Sequence, residues 1–176
     1  IEAKKYLHER SLDDEVIKEF SLGLALGQDY SLNKLLLTKN YQAAYLIKLG
    51  LANEHNGYLN DTFKNRIMFP IHNLEGQVIG FTGRIYHDSD QAKYLNSKES
   101  IIFKKGQILF NYHRAIKEIK RKKEVIIVEG NMDAIRMYAS GIKNVVALVG
   151  TSLTKEQVSI IKNMRSKIIL MFDNDD

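Results

Sequence analysis

The stretch that decides the fold is the last third of the chain, residues 125–176, which reads VIIVEGNMDAIRMYASGIKNVVALVGTSLTKEQVSIIKNMRSKIILMFDNDD. Three apolar runs (EVIIV, NVVAL and KIILMF) alternate with two segments of helical periodicity (MDAIRMYASG and TKEQVSIIKNM). This alternation predicts a parallel sheet that is covered by helices on both faces. Gly141 is expected to close the first helix, and Thr154 with Gln157 is spaced as a capping box for the second.

Carboxylates follow two of these predicted strands. Glu129 ends the first strand, and Asp173 and Asp175 end the third, so right-handed crossovers would bring all three to one rim of the sheet. Gly130 allows a sharp turn there, and Asp133 lies one helical turn further on the same side. Several carboxylates at one rim repel one another unless a cation neutralises them. Oxygen ligands without His or Cys favour Mg²⁺ or Mn²⁺.

Such ions bridge phosphate oxygens, which makes phosphoryl or nucleotidyl transfer the chemistry to expect. Taken alone, the final DNDD is more simply a turn that caps a strand. The Glu-Gly turn at the neighbouring strand end favours the metal site instead.

Composition excludes several classes of protein. The 176 residues include no cysteine, which rules out disulfides, thiolate metal sites and a catalytic Cys. No apolar run approaches the ~20 residues that span a bilayer, and the N-terminal IEAKKYLHERSLDDEV lacks the apolar core of a signal peptide. We therefore expect a soluble, cytoplasmic protein.

The net charge of +5 is distributed unevenly along the chain. Residues 1–61 hold 7 basic and 9 acidic residues, residues 62–123 hold 13 and 5, and residues 124–176 hold 6 and 7. The excess in the middle third is typical of a polyanion-binding surface. A run such as KRKK (120–123) at a helix end is more simply a solvated face, so both interpretations stay open.

The first 122 residues predict a mixed α and β subdomain. Up to about residue 60, apolar residues recur at helical spacing, which predicts short helices, with Ser11 as a helix N-cap. The segment RIMFPIHNLEGQVIGFTGRIY (66–86) predicts a β-hairpin around NLEG, with Pro70 at an edge or a bulge. A loop (87–100) follows, and the basic segment up to about residue 124 predicts a helix.

Together these motifs resemble a known family. VEGNMD (128–133) and FDNDD (172–176), on either side of GTSLT, are similar to the catalytic fold shared by topoisomerases and primases (TOPRIM), whose signature is a Glu-Gly turn followed by Asp-x-Asp. RIMFPIHNLEGQVIGFTGR, AKYLNSKES and IFKKGQILFN resemble the polymerase core of bacterial DnaG-type primases. The resemblance implies an α/β fold in which an N-terminal α+β subdomain (1–122) precedes the first part of a TOPRIM-type parallel sheet (123–176), whose C-terminal part is missing.

The resemblance also implies roles for two groups of residues. The catalytic acids would be Glu129, Asp173 and Asp175, which with Asp133 would bind the metal. A basic ridge would hold the template and the incoming nucleotide, and its residues are Arg66, Arg84, Lys93, Tyr94, Asn96 and Lys105. Asn131 replaces the family's usual aromatic residue and Asn174 its usual glycine, but neither change removes a carboxylate.

Two details of this ridge come from the residues themselves. Arg84, beside Gly83, and Lys93, within KYLNS, have small or polar neighbours that would permit close approach of phosphate. Tyr94 could stack on a base, as in proteins that bind single strands, or it could belong to the core. The five histidines show no mutual spacing typical of metal ligands.

The implied function is synthesis of RNA primers for DNA replication. The enzyme would use Mg²⁺ or Mn²⁺, with two ions expected, to join ribonucleoside triphosphates into an RNA primer on a single-stranded DNA template. A replicative helicase would be contacted through regions outside this chain. We do not expect the chain alone to be active, because the family's core continues beyond residue 176. Two alternatives stay open: a nuclease on the same fold, and a module that binds nucleic acid or nucleotide without turnover.

Overall fold

A computed structural model describes residues 2–27, 31–150 and 152–172 of the chain. Two compact units can be distinguished. The first contains residues up to 10, residues 17–70 and residues 80–103, and the second contains residues 11–16, residues 71–79 and residues from 104 onward. The domain boundary that the sequence predicts between residues 122 and 123 stays a prediction.

The elements up to residue 103 form a mixture of short helices and antiparallel strands. They are α1 (Glu2–His8), α2 (Asp14–Glu19), β1 (Gly23–Ala25), α3 (Leu32–Thr38), α4 (Ala43–Lys48), β2 (Ala52–His55), β3 (Tyr58–Asp61), β4 (Arg66–His72), β5 (Val78–Arg84) and β6 (Tyr94–Asn96). One sheet has the strand order β1-β4-β5-β6, and β2 pairs with β3 alone. The predicted hairpin is β4–β5. Because β1 pairs only with Arg66–Met68, Pro70 lies beyond the part of β4 that β1 covers.

The prediction that Ser11 caps a helix is wrong. Ser11 has a left-handed φ of 61°, and α2 begins three residues later. The carboxylate of Asp13 caps this helix instead, because its Oδ1 accepts a hydrogen bond of 2.9 Å from the backbone N–H of Val16. A carboxylate satisfies the free N–H groups of a first turn as well as a hydroxyl does, and Asp13 stands next to the helix.

Four short strands lie where the sequence predicts helix or loop. Residues 23–25 form β1 and residues 94–96 form β6, because their backbone groups pair with β4 and β5. The hairpin β2–β3 turns through Asn56 and Gly57, whose φ angles are 51° and 77°. An Asn-Gly pair is the strongest short-range signal for a hairpin, so the sequence itself marks the turn between β2 and β3.

The elements from residue 104 onward follow the predicted alternation. They are a short 3-10 helix (Lys105–Gln107), β7 (Leu109–Phe110), α5 (Tyr112–Lys122), β8 (Glu124–Val128), α6 (Asn131–Ala139), β9 (Val145–Leu148), α7 (Lys155–Asn163) and β10 (Lys167–Met171). The strand order is β10-β8-β9-β7. Strand β8 is parallel to both β9 and β10, whereas β7 is antiparallel to β9. The predicted parallel sheet and the predicted basic helix α5 are confirmed.

The core of this unit lies between the sheet and the helices α5 and α7. Its buried members are Leu109, Ala115, Ile119, Val125, Ile127, Val146, Leu148, Ile161 and Met164. Alternate residues of β8 point to the opposite face, where α6 buries Ala134 and Ile135. Helices on both faces explain why β8 and β9 are apolar throughout. The edge strand β10 is apolar too, but most of its side chains are exposed among the described residues.

The helix ends of this unit match their sequence signals. The hydroxyl of Thr154 accepts a hydrogen bond from the backbone N–H of Gln157, whose side chain accepts one from the backbone N–H of Thr154, which completes the predicted capping box. Gly141 follows α6 with a φ of 95°, a conformation that glycine adopts without a steric penalty. Within residues 2–27, 31–150 and 152–172, no helix has the length and apolar character to cross a membrane.

Candidate functional site

Two exposed carboxylates lie at the carboxyl end of β8. Glu129 directly follows the strand, and Asp133 lies in the first turn of α6. The Oδ2 atom of Asp133 is 2.6 Å from the position that a Cβ atom would occupy at residue 130. Gly130 therefore permits the carboxylate to fold back over the turn, and any larger residue would displace it.

The other two predicted acids, Asp173 and Asp175, lie outside the described residues. The register of β10 with β8 places Met171 opposite Val128, so both strands end at the same rim. Within the described part of the chain, no group of three or more His, Asp or Glu side chains is arranged to hold a metal ion. The pair Glu129 and Asp133 supplies oxygen donors of the type that Mg²⁺ prefers, and further ligands would have to complete the coordination.

A second group of predicted residues surrounds Arg84, in the first unit. Strands β5 and β6 pair Arg84 directly with Tyr94. The guanidinium group donates from Nε to the hydroxyl of Tyr6 at 2.6 Å and from Nη1 to the hydroxyl of Tyr94. Its carbon atom lies 5.4 Å and 4.8 Å from the centroids of these two rings. Arg84 is 7% exposed and Tyr94 is 37% exposed, so the arginine holds a partly exposed aromatic ring in place.

Two further residues belong to this cluster, Tyr6 and Arg10, and neither is among the ridge residues predicted from the sequence. The guanidinium carbon of Arg10 lies 3.8 Å from the centroid of the Tyr6 ring. The tyrosine thus contacts two arginines, which is favourable because cations are attracted to the face of an aromatic ring. Their spacing of four residues could have revealed the pair, since side chains at i and i+4 are neighbours on a helical turn.

Arg66 is buried and holds the backbone around β5 and β6. Its Nη1 donates to the carbonyls of Gly83, at 3.3 Å, and Ala92, at 3.0 Å, while Nη2 donates to the side chain of Gln91 at 3.2 Å. Burial lowers the pKa of Arg66. The geometry makes it a positioning residue for this strip, and a direct contact with nucleic acid stays a prediction.

The space above Gly83 is filled, contrary to the expectation that phosphate could approach there. A Cβ atom at this position would lie 2.8 Å from the ring of Phe63 and 3.0 Å from the Cδ atom of Arg66. Glycine is therefore needed for packing of the protein itself. A contact between Arg84 and phosphate stays a prediction.

The remaining ridge residues differ in their surroundings. Lys93 is exposed just before β6, and Oδ1 of Asn96 accepts a hydrogen bond of 2.6 Å from the hydroxyl of Thr82. Lys105 is half-buried in the 3-10 helix of the second unit. The structure therefore brings together five of the six predicted ridge residues: Arg66, Arg84, Lys93, Tyr94 and Asn96.

Known protein families match the chain over most of its length. Residues 1–116 match the family described as DNA primase catalytic core, N-terminal domain. The chain belongs to the family of DnaG-type DNA primases. Residues 123–176 match the Toprim domain, which confirms the predicted TOPRIM-type sheet of the DnaG core.

The chain is similar to the DNA primases of staphylococci. It is 41% identical to the primase of Staphylococcus epidermidis and 40% identical to that of Staphylococcus aureus strain COL. Each alignment spans 176 residues, which is 99% of this chain and 29% of the relative. The chain therefore spans less than a third of the length of these primases.

Solved DnaG structures share the fold of this chain. The zinc-binding and RNA polymerase domains of Aquifex aeolicus primase are 37% identical, with a TM-score of 0.91 over 99% of this chain and 43% of that one. The RNA polymerase domain of Mycobacterium tuberculosis DnaG is 29% identical, with a TM-score of 0.92 over 99% and 59%. A DnaG primase catalytic domain bound to ssDNA is 34% identical, with a TM-score of 0.88 over 99% and 54%.

Proposed function

We propose that this chain provides part of the catalytic core of a DNA primase, which joins ribonucleoside triphosphates into an RNA primer on single-stranded DNA during replication. The observation that carries the proposal is the pair Glu129 and Asp133 at the carboxyl end of β8, within the Toprim match. A Toprim domain alone would fit a nuclease or a topoisomerase equally well. The match of residues 1–116 to the primase-specific family favours primer synthesis.

The proposed cofactor is a divalent metal, with two ions of Mg²⁺ or Mn²⁺ held by Glu129, Asp133, Asp173 and Asp175. When bound, such ions polarise phosphate and stabilise the charge that develops on it. Support comes from the exposure of the first two carboxylates, neither of which forms an ion pair with any residue that the structure describes. Like charges held near one another favour a cation as their partner.

The proposed template contact is the strip formed by β5 and β6. Tyr94 offers a partly exposed ring on which a base could stack, and Arg84 fixes the orientation of that ring through its hydroxyl group. Lys93 adds an exposed positive charge beside it. We further propose that Asn96 and Lys105 contact the template or the nucleotide, and that a replicative helicase binds regions outside this chain. The relative with bound ssDNA supports a single-stranded partner.

Product analysis with labelled ribonucleotides tests this function. The assay uses a chimera in which a relative supplies the part of the catalytic core that follows residue 176, together with single-stranded DNA and Mg²⁺. New oligoribonucleotides are expected. A shortened template would identify a nuclease, and neither product, despite DNA binding, would identify a binding module.

Thermal unfolding tests the metal site in the chain itself. Divalent ions that bind the folded rim should raise the melting temperature by mass action, because they bind the dispersed acids of the unfolded chain only weakly. The double variant Glu129→Gln, Asp173→Asn should lose this rise. An unchanged melting temperature for the wild type in Mg²⁺ and in Mn²⁺ would count against the assembled site.

A further inference from the structure

Cations are concentrated at the amino end of the parallel sheet, the end opposite to Glu129. Each of the parallel strands β8, β9 and β10 is preceded by a helix, so α5, α6 and α7 all end there. We name the three connecting segments, residues 118–124, 140–144 and 162–167, the basic pole. Their eight cationic side chains stand against two carboxylates, and the cations are Lys120, Arg121, Lys122, Lys123, Lys143, Lys162, Arg165 and Lys167.

Hydrogen bonds hold the three segments of the basic pole side by side. Asn144 is 1% exposed; its side chain donates to the carbonyl of Glu124 at 3.1 Å and accepts from Nζ of Lys122 at 3.2 Å. The backbone N–H of Lys167 donates to the carbonyl of Lys123 at 2.9 Å. Neighbouring strands lie about 4.8 Å apart, so the three strand starts span roughly 10 Å. Cations that are distant in sequence therefore share one edge of the sheet.

Ion pairs neutralise only part of this charge. Glu118 pairs with Arg121 at 2.6 Å and with Lys122 at 3.7 Å, and Glu124 pairs with Lys167 at 3.6 Å. Five exposed cations form no ion pair with any residue that the structure describes: Lys120, Lys123, Lys143, Lys162 and Arg165. The carbonyl ends of three helices favour some positive charge here. These five cations, of which Lys143 lies 5.3 Å from the centroid of the Tyr138 ring, exceed that need, and they would attract a polyanion.

Two of these cations occupy backbone positions that disfavour a side chain. Each connection contains one residue in the left-handed region: Lys123 with a φ of 53°, Gly141 with 95° and Arg165 with 48°. Glycine adopts this conformation freely, as at residue 141, whereas a residue with a Cβ atom is strained in it. The fold alone would favour glycine at all three positions. Lys123 and Arg165 keep a positive charge at positions where glycine would be less strained.

We propose that the basic pole is a second nucleic-acid contact, which binds backbone phosphates outside the reacting region. Strand β8 has five residues, so the pole lies about 16 Å from the rim that carries Glu129, at about 3.3 Å per residue. The pole contains no exposed aromatic residue among its three fully described segments, so it has no platform for base stacking. An acidic protein is the less favoured partner, because the same segments expose no large apolar anchor. This site is additional to the proposed active site and does not depend on catalysis there.

Salt-dependent DNA binding by the 176-residue chain tests the proposal. Fluorescence anisotropy would measure affinity for single-stranded DNA and for a duplex of equal length over a series of KCl concentrations. The triple variant Lys120→Gln, Lys123→Gln, Arg165→Gln should reduce the slope of log affinity against log salt by about 2 for the single strand and about 2.7 for the duplex, if each cation contacts one phosphate.

A matched triple variant with the same loss of charge serves as the control, in which Lys34, Lys48 and Lys155 are replaced by Gln. These lysines are exposed and lie outside the basic pole. The control should retain most of the wild-type slope. The proposal fails if the pole variant keeps the wild-type slope, or if the control loses as much as the pole variant does.

A second variant separates binding from folding. Lys123→Gly with Arg165→Gly should unfold at the wild-type temperature or above it, because glycine tolerates the left-handed conformation, yet it should show the reduced slope. Unchanged DNA binding by this variant would overturn the proposal. If the wild type binds poly-glutamate more tightly than DNA of equal charge, the proposal of a nucleic-acid partner fails, and an acidic protein becomes the favoured partner of the basic pole. None of these variants changes Lys93. If the proposal for the basic pole fails, the proposed template contact at β5 and β6 is therefore not affected.

Discussion

Arg66 of β4 and Arg84 of β5 support the strip formed by β5 and β6, and they are held in the opposite way to the carboxylates at the end of β8. Arg66 and Arg84 are 4% and 7% exposed, and both donate hydrogen bonds to neighbouring protein atoms. Glu129 and Asp133 are exposed and form no ion pair with any described residue. The arginines shape a surface, whereas the carboxylates remain available to a ligand.

This difference separates stability from activity. Removing a buried donor leaves its acceptors without partners and costs folding free energy. Removing an exposed carboxylate costs the fold little, because water solvates the group in both states. Substitutions in the two regions should therefore affect different measurements.

The largest expected effect is that of Glu129→Gln on primer synthesis. Gln has nearly the same shape, but it lacks the negative charge that strengthens the attraction of a carboxylate for a divalent ion. We expect the rate to fall by at least about 100-fold, as happens when a group that stabilises transition-state charge is removed. The measurement is incorporation of labelled ribonucleotides by the chimeric core, and the free energy of unfolding should change by less than about 0.5 kcal/mol.

Glu156→Gln is the matched control for this variant. Glu156 is an exposed glutamate in the first turn of α7, and no catalytic role is assigned to it. Primer synthesis by the control should equal that of the wild type. If both variants lose primer synthesis to a similar extent, the overall negative charge matters and not the predicted ligand Glu129. The contrast between the carboxylates and the arginines would then be contradicted.

The next largest effect is the loss of stability in Arg66→Met. Methionine can fill much of the volume of the arginine, but it leaves the carbonyls of Gly83 and Ala92 without this donor. We expect the free energy of unfolding to fall by about 2–3 kcal/mol, measured by urea denaturation. Lys93→Met, at an exposed position, should change it by less than about 0.5 kcal/mol. Equal effects would contradict the assignment of Arg66 as a positioning residue.

The parallel sheet could be predicted from the sequence because each of its elements carries a local signal. The apolar runs that form β8, β9 and β10, the glycine after α6 and the capping box of α7 all depend on residues close together in the chain. The strands β1 and β6 could not be predicted in this way. Each has three residues, too few to show a period, and each exists because a longer strand lies beside it.

The positions of charged residues in the candidate site could be predicted from the sequence better than the packing of side chains around them. A carboxylate at a strand end indicates a position without any knowledge of side-chain packing, so the place of Glu129 directly after β8 could be predicted. Its role as a metal ligand stays a prediction. Gly83 was different, because its sequence neighbours suggested open space for phosphate. The side chains that fill this space belong to Phe63 and Arg66, which lie 20 and 17 residues before Gly83 in the sequence. No local sequence pattern predicts that they pack there.

A smaller effect on the free energy of unfolding is expected from two histidines. Their burial is intermediate between that of the arginines and that of the carboxylates. The rings of His72 and His113, both half-buried, lie 4.3 Å apart between centroids. Nε2 of His113 is 2.7 Å from Nη1 of Arg114. Burial, then the charge of Arg114, then His72 lower the pKa of His113 to about 4, and burial and Arg114 also lower the pKa of His72.

These shifts predict that stability falls on acidification. Between about pH 6.5, the ordinary histidine pKa, and about pH 4, these histidines are protonated in the unfolded chain and largely unprotonated in the folded chain. The contribution is therefore fully present above about pH 6.5, is lost as the pH falls towards 4, and changes no further below that. Because the rings are partly solvated, we expect a loss on the order of 1 kcal/mol, measured by urea denaturation across this range. His113→Gln should reduce this dependence of the free energy of unfolding on pH. If the variant shows the same dependence as the wild type, the prediction is contradicted.

The smallest expected effect, in Lys93→Ala, addresses whether the strip of β5 and β6 does more than shape a surface. Lys93 is exposed next to Tyr94, so its removal costs no buried hydrogen bond. One lost phosphate contact should reduce the slope of log affinity for single-stranded DNA against log salt by roughly 0.7. Tyr94→Leu should instead weaken binding at all salt concentrations, because stacking contributes about 1–3 kcal/mol per base and carries no charge. If both variants retain wild-type affinity and slope, the buried arginines build only a structural strip, and the template must be held elsewhere on the chain.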